Sequence, residues 1–143
     1  MRWVSRIAIA VVAMVLCSCQ SSKEPPLMVG VDIDKWNYTT YIPYDNDDTL
    51  TVRNLNIALR YNDNFKSSTL PLKIAITTPD TLFYEEAIEL QLQHPHTALA
   101  VATTESRPYR TEVRLNRKGR YIFTLHPLVE VRGVEAIGIE FTE

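Results

Sequence analysis

The stretch Leu55-Asn56-Ile57-Ala58-Leu59-Arg60-Tyr61 decides the fold class of this chain. Large apolar side chains occupy every second position, and smaller or polar residues lie between them. A period of two is typical of a β-strand that buries one face, whereas a helix would space its apolar residues by three and four. The stretch therefore predicts a strand whose odd-numbered residues face a core.

The same alternation recurs through the rest of the chain. The further rows are Trp36 to Ile42, Leu70 to Ile76, Leu82 to Leu92, Tyr109 to Leu115, Tyr121 to Leu125 and Ile137 to Phe141. The charged residue Glu86 is the exception in the row from Leu82 to Leu92. No segment shows the apolar spacing of a helix. About eight short strands separated by turns are typical of an antiparallel β-sandwich, so we expect an all-β fold of two sheets.

Several local signals predict how the strands are bounded. Arg53-Asn54 separates two apolar rows of opposite parity, which indicates a bulge or a bend between sheets. Thr78-Pro79-Asp80-Thr81 predicts a turn, and Asn116-Arg117-Lys118-Gly119 predicts a hairpin turn because glycine adopts positive φ at low cost. Pro71 at the start of its row suggests an edge strand. Residues 97–104 fit either a strand or a loop.

The first 18 residues carry the parts of an export signal. Arg2 and Arg6 precede an unbroken apolar run over residues 7–16. A helix of ten residues rises about 15 Å, about half of a bilayer core, so this run is too short to span a membrane. We therefore predict a cleaved signal peptide over residues 1–18.

Cys19 has the surroundings of a lipid-modified cysteine. The small Ser18 precedes it, and the branched Leu16 lies three positions before it, whereas Cys17 has bulky Leu16 where a small residue is needed. Lipidation would use the only cysteine of the mature chain and leave none for a disulfide or a cysteine metal site. Attached acyl chains such as palmitate would then anchor the protein to a membrane.

The predicted mature chain consists of a tether and one domain. Residues 19–28 form the lipidated cysteine and a flexible tether, and residues 29–143 form the β-sandwich domain. Lys23-Glu24 is only a weak form of the acidic signal that directs lipoproteins to the outside of the cell. We therefore expect an anchor in the bacterial cell envelope that faces the periplasm.

The charge balance disfavours a nucleic-acid partner. The chain has 15 Lys and Arg against 17 Asp and Glu, a net charge of −2, and loss of the leader would remove two arginines. A basic face is expected of nucleic-acid-binding proteins. Basic residues nevertheless cluster late in the chain, at Arg107, Arg110, Arg114, Arg117, Lys118 and Arg120. Arg110, Arg114 and Arg120 could share an outward face that docks an acidic partner, or they could be the solvated side of a hairpin.

Four aromatic residues, Trp36, Tyr38, Tyr41 and Tyr44, lie close together in the sequence. The parity of Trp36 and Tyr38 suits a core. Tyr41 has the opposite parity and Tyr44 lies near a turn, so these two are candidate contacts for a protein partner or for a glycan, which aromatic rings can stack against.

Other polar residues are weaker candidates for chemistry. Asp45, Asp47 and Asp48 supply oxygen ligands for calcium, but a solvated turn explains them more simply. His94, His96 and His126 could ligate a transition metal, and Glu85, Glu86 and Glu89 could supply paired carboxylates for glycoside hydrolysis. Exposed loop histidines and a solvated strand face are the plainer interpretations. No catalytic constellation or cofactor site is predicted.

Several short motifs lie in a recognisable order. The run Gly119-Arg120-Tyr121-Ile122-Phe123 is followed by Gly133-Val134-Glu135-Ala136-Ile137-Gly138, and Trp36, residues 55–61 and Thr78-Pro79-Asp80 precede them. Over residues 30–142, together with the lipidated N-terminus, the chain resembles the GldH-type gliding-motility lipoproteins of the Bacteroidota. Residues 93–106 depart from the family pattern, because they lack the glycine-rich segment with tryptophan found there.

The resemblance implies a periplasmic accessory lipoprotein linked to gliding motility and type IX secretion, with no assigned catalytic residues. We therefore expect a non-enzymatic docking component whose partners are the membrane, through the lipid on Cys19, and other proteins of the envelope or secretion assembly. The alternative is a glycan-binding β-sandwich module.

Overall fold

The computed structural model describes residues 24–93 and 102–143, which form eight β-strands and no helix. The strands are β1 (Leu27–Gly30), β2 (Thr40–Asn46), β3 (Arg53–Tyr61), β4 (Thr69–Thr77), β5 (Phe83–Gln91), β6 (Thr103–Val113), β7 (Gly119–Pro127) and β8 (Val134–Thr142). The predicted all-β fold is confirmed. The predicted signal peptide and Cys19 lie outside the described residues, and so do residues 97–101 of the segment that fitted either a strand or a loop. β1 begins within the predicted tether.

The strands form two antiparallel sheets of four. Sheet I has the order β1-β8-β3-β6, and sheet II has the order β2-β7-β4-β5. The alternating rows face each other between the sheets, which explains their period of two. Fully buried members of this core are Ile57 and Leu59 of β3, Leu72 of β4, Phe123 and Leu125 of β7 and Ile137 of β8.

Among the eight strands of the described residues, one pair of consecutive strands forms a hairpin. The β4–β5 turn over residues 78–82 matches its sequence signal, and the Thr78 amide donates to the Leu82 carbonyl at 2.9 Å. Every other connection passes from one sheet to the other. The connection that follows Asn46 is one of these. β3 then begins at Arg53, and its pairing with β6 shifts register between Arg53 and Asn56, which confirms the predicted irregularity.

The predicted hairpin at Asn116–Gly119 is wrong. β6 belongs to sheet I and β7 to sheet II, so residues 114–118 cross the end of the sandwich. Leu115 is buried there, and the Asn46 side-chain amide donates to the carbonyls of Leu115 and Arg117 at 3.0 and 2.9 Å. Gly119 has φ +126, a backbone conformation that glycine adopts at low cost and other residues rarely adopt.

The prediction of an edge strand at Pro71 is also wrong. β4 lies between β7 and β5, and its pairing with β7 ends at Leu72 opposite Pro127. The Leu128 amide donates to the Pro71 carbonyl at 3.0 Å. The backbone nitrogen and the carbonyl of Pro71 therefore both point towards β7, just beyond the end of the β4–β7 ladder. The missing N–H therefore costs no ladder bond.

Candidate protein-contact site

Among the residues that the structure describes, none closes the long side of the sandwich between β5 and β6. Each of these strands is the last of its sheet in the described chain. The even-numbered residues of β5 face inward, which places Tyr84, Glu86 and Ile88 opposite β6. β6 shifts register twice, between Pro108 and Arg110 and between Arg110 and Val113, and the side chains of Tyr109 and Arg110 reach Glu86 of β5. The site is therefore built from two edge strands of different sheets.

Glu86 is the centre of a polar cluster that joins the two edges. Its Oε1 accepts hydrogen bonds from the Tyr109 hydroxyl and from Arg110 Nη2, the latter at 2.6 Å. The Tyr84 hydroxyl donates to its Oε2 at 3.2 Å, and Arg110 Nη2 also donates to Tyr84 Oη at 3.1 Å. Arg110 is thus already paired with Glu86, although its side chain remains about half exposed.

The bonds of this cluster shift the ionisation of its members. The Tyr109 hydrogen bond is the main cause that lowers the pKa of Glu86 below its usual value, with further help from Tyr84 and Arg110. Burial raises the pKa of Tyr109, and the neighbouring Glu86 carboxylate raises it further. At neutral pH the cluster is therefore an ionised carboxylate held by a neutral phenol and a guanidinium.

A second polar cluster lies further along the same side. Glu105 is buried and accepts hydrogen bonds from the Tyr61 hydroxyl and the Gln93 amide, each at 2.7 Å. Arg107 Nε lies 3.9 Å from the same carboxylate. A groove of about 350 Å³ lies between β5 and β6, lined by Ile88, Glu89, Leu90, Gln91, Arg107, Pro108 and Tyr109. Both apolar side chains and the charged side chains of Glu89 and Arg107 line the groove.

Exposed apolar side chains begin at the start of β5. Leu82 and Phe83 are each 64% exposed, and Tyr84 is 50% exposed. Three consecutive large apolar residues on a surface are unusual and are typical of a contact site. The sequence row from Leu82 to Leu92 predicted that Leu82 faces the core. The structure places it in the turn before the strand, where the alternation does not apply.

The three predicted contact arginines do not share a face. Arg110 is in sheet I and points into the open side, whereas Arg120 is in sheet II and its Nε lies 2.8 Å from Asp45 Oδ1. Arg114 lies in the exposed crossing between them. The prediction of one outward face is wrong because it assumed a β6–β7 hairpin, and the two strands belong to different sheets.

The aromatic residues divide differently from the prediction. Trp36 is fully buried, but Tyr38 is 44% exposed because an isolated bridge between Trp36 and Val131 replaces the expected strand there. Tyr41 is 64% exposed on the outer face of sheet II. Tyr44 faces inward with its ring centroid 4.9 Å from that of Phe141, and its hydroxyl accepts a bond from Arg53. Tyr41 and Tyr44 therefore lie on opposite faces of β2.

The aspartates do not converge on one point. Asp45 pairs with Arg120, whose hydrogen bond lowers the pKa of that carboxyl. Asp48 accepts the Leu50 and Thr51 amides, and bonds from Thr51 and then Leu50 lower the pKa of Asp48 to about 2. Asp47 is exposed. Within residues 24–93 and 102–143 no three acidic, histidine or cysteine side chains are arranged to hold a metal ion.

The remaining polar candidates are dispersed. His94 and His96 lie outside the described residues, and His126 Nδ1 is 3.1 Å from the Thr39 hydroxyl. Glu85 and Glu89 share the outer face of β5, as the alternation predicted, whereas Glu86 faces inward. One signal for the Glu86 cluster was present in the sequence: Glu86 is a charged residue in a row that is otherwise apolar. Its partners on β6 could not be foreseen.

The described chain contains no helix that is long and apolar enough to cross a membrane. Comparisons with protein-family models, with curated proteins and with solved structures find no match to this chain.

Proposed function

We propose that this protein is a non-enzymatic, lipid-anchored docking component of the bacterial cell envelope that binds another envelope protein through the β5 side of its sandwich. The observation that carries the proposal is the exposed run Leu82-Phe83-Tyr84 at the start of an edge strand. Aromatic side chains are enriched at protein interfaces, and tyrosine is among the residues that most often dominate their binding energy. The resemblance to GldH-type lipoproteins supports an assembly related to gliding motility or type IX secretion.

The position of the N-terminal segment supports a partner close to the membrane. Glu24 Oε2 lies 3.9 Å from Arg53 Nη1, so the described chain begins at the end of the sandwich where β3 starts. Asp80 in the β4–β5 turn and Arg117 in the β6–β7 crossing form an ion pair at this same end. The five residues from Cys19 to Glu24 span at most about 18 Å. A lipid on Cys19 would therefore hold Phe83 near the membrane surface.

The lipid anchor is tested by the substitution Cys19→Ser in the full chain. We expect the variant to leave the membrane fraction, because the anchor is its only predicted attachment. Mass spectrometry of the wild-type N-terminal peptide should show acyl chains on Cys19. A variant that stays in the membrane fraction, or an unmodified wild-type Cys19, would contradict the anchored role.

The docking surface is tested by placing a photo-crosslinking phenylalanine analogue at position 83 in cells that make the full chain. We expect one discrete adduct with an envelope protein, and we expect the adduct to weaken when Cys19 is replaced by serine. The matched control places the same analogue at Tyr38, which is also aromatic and exposed but lies at the other end of the sandwich. Equal adducts from both positions, or none from position 83, would argue against docking through β5.

Glycan binding is the alternative outcome. Because Tyr44 faces the core, Tyr41 alone of the two proposed tyrosines could stack against a sugar. A glycan array probed with wild-type protein and with the Tyr41→Ala variant decides this alternative. Binding of a defined glycan that disappears in the variant would favour it over protein docking.

A further inference from the structure

The backbone of β5 offers a regular row of hydrogen-bonding groups at the open side. The Thr78 amide bonds the Leu82 carbonyl before the strand, and the Leu92 amide bonds the Ser68 carbonyl after it. Between these two bonds the β4–β5 ladder runs without a register shift. Even-numbered β5 residues therefore bond β4, and the amides and carbonyls of the odd-numbered residues point away from it.

The other edge strands are short or irregular, and β5 is neither. β1 has four residues, β2 contains Pro43, and β6 contains Pro108 and register shifts. β5 has nine residues with no proline, bulge or lysine, and its inward carboxylate, Glu86, is paired with Arg110 rather than left uncompensated at the edge. Natural proteins commonly protect exposed edges with short strands, proline, bulges or inward charges, so a long regular edge whose inward charge is already paired indicates a place where another strand binds.

A second copy of this chain does not suit the edge. When β5 pairs antiparallel with another β5 over its whole length, Glu85 of each copy lies opposite Glu89 of the other. Directly opposed like charges destabilise a strand pair. Glu85 pairs with Lys73 of β4 at 3.6 Å, but both side chains stay partly exposed. Glu85 and Glu89 together therefore favour a different partner strand that carries lysine or arginine at alternate positions.

The groove between β5 and β6 determines which side chains suit the other face of the added strand. Side chains of an added strand that point inward would lie over the groove between β5 and β6. Ile88, Leu90 and Pro108 line this groove together with the ring of Tyr109. An apolar side chain of moderate size is the complementary group.

We propose that β5 binds an extended segment of another envelope protein by strand addition, and that this segment alternates basic residues facing Glu85 and Glu89 with apolar residues facing the groove. This inference rests on the proposed docking function and names its partner's chemistry. The backbone supplies the affinity of such a contact, and the alternating side chains supply its specificity.

The test uses the purified full chain and two capped nine-residue peptides, one alternating Lys with Val and the other alternating Glu with Val. We expect the Lys peptide to bind at least about fivefold more tightly, since two opposite-charge pairs replace two like-charge pairs. Hydrogen exchange measured by NMR should slow at the amides of Glu85, Ala87 and Glu89. Absence of new protection at these odd-numbered amides would overturn the proposal.

Two substitutions make the test specific. Ala87→Pro removes an outward amide and leaves the β4 ladder bonds in place, so we expect at least about tenfold weaker peptide binding with little change in thermal unfolding. The control Ala87→Val keeps the amide and should bind as wild type does. Equal binding by both variants would overturn strand addition.

A charge reversal tests the side-chain preference without altering the backbone. The double variant Glu85→Lys with Glu89→Lys should prefer the Glu peptide, whereas the control Asp47→Lys with Asp63→Lys should keep the wild-type preference. An unchanged preference in the first variant would overturn the proposal that the partner strand is basic.

Crosslinking distinguishes strand addition from docking in general. If position 83 still crosslinks an envelope protein in the Ala87→Pro variant, the docking function stands and strand addition is wrong. If the wild-type protein forms no crosslink at all, the docking function itself is wrong.

Discussion

At the scale of single residues, Glu86 shows how an acidic side chain is accommodated on the inner face of a sandwich. Its parity points it towards the core, where an isolated carboxylate would be costly. The structure places it at the open side, where Tyr84, Tyr109 and Arg110 bond it. These bonds lower the pKa of Glu86, with Tyr109 as the main cause. The cluster connects β5 to β6 next to the groove.

Replacing Glu86 with glutamine should destabilise the fold in a pH-dependent way. Because the pKa of Glu86 is lower in the folded than in the unfolded chain, its ionisation stabilises the fold above about pH 4.5, and this contribution is lost as the pH falls through the folded pKa. We expect Glu86→Gln to lower the free energy of unfolding by about 1 kcal/mol at pH 7, after allowance for partial exposure. Urea unfolding at pH 7 and at pH 3 measures the difference.

The control for this experiment is Glu89→Gln, which changes an exposed carboxylate on the outer face of the same strand. It should alter the free energy of unfolding by less than about 0.5 kcal/mol at either pH. A deficit of Glu86→Gln that is the same at pH 3 and pH 7 would show that ionisation of Glu86 does not stabilise the fold.

At the scale of elements, the attachment of β1 depends on one glycine of β8. Met28 pairs with Gly138 in the β1–β8 ladder. A Cβ atom added at Gly138 would lie 1.8 Å from the carbonyl oxygen of Leu27, which is fixed backbone. The close approach of these two strands therefore requires glycine, and any side chain at position 138 must displace β1.

The substitution Gly138→Ala should loosen β1 while leaving the other strands folded. We expect a loss of about 2 kcal/mol in the free energy of unfolding, as for other overpacked sites. The Val31 amide, which bonds the Glu135 carbonyl at 3.0 Å, should exchange faster with solvent. Urea unfolding and hydrogen exchange measure the two effects.

Gly30→Ala is the matched control in the same strand pair. A Cβ atom at Gly30 would have the Glu135 carbonyl oxygen as its nearest neighbour at 3.8 Å, an ordinary contact distance. This variant should stay within about 0.5 kcal/mol of wild type. Equal effects of the two alanines would show that the close approach of Leu27 to Gly138 does not restrict this pair.

At the scale of the whole molecule, the two long sides of the sandwich are built differently. On one side the short β1 and the proline-containing β2 form the edges. Trp36, in the chain segment that connects β1 to β2, forms an isolated bridge with Val131. On the other side the β5 edge has no such protection. The described chain begins near the end where β5 starts, because Glu24 Oε2 lies 3.9 Å from Arg53 Nη1. Under the proposed lipidation of Cys19, the start of the β5 edge would lie at the end of the sandwich nearest the membrane.

The stability of this architecture should depend on the single core between the sheets. Leu59 of β3 is fully buried, so Leu59→Ala should lower the free energy of unfolding by about 3 kcal/mol through lost transfer energy and a residual cavity. Leu50 is 80% exposed, and Leu50→Ala should change it by less than about 0.5 kcal/mol. Urea unfolding of both variants checks this, and similar losses would contradict a core centred on β3.

The sequence by itself determined the fold class and the faces of most strands. The alternation in residues 55–61 predicted which β3 side chains are buried, because a strand has a period of two whatever its partners are. The turn at Thr78 to Thr81 was also predictable, because the preferences of its own residues determine a turn. The sequence also showed Glu86 as a charged residue in an apolar row, although it did not show what Glu86 binds.

Only the tertiary structure decided which strands pair and which side chains meet. Asn116 to Gly119 has the residues of a hairpin turn, yet it crosses between sheets because Leu115 is buried in the core and Asn46 holds the crossing. Arg110 and Arg120 were consequently separated, and Arg110 met Glu86 from a strand of the other sheet. Strand pairing depends on burial and hydrogen bonds between residues far apart in the chain, and local preferences do not specify these contacts.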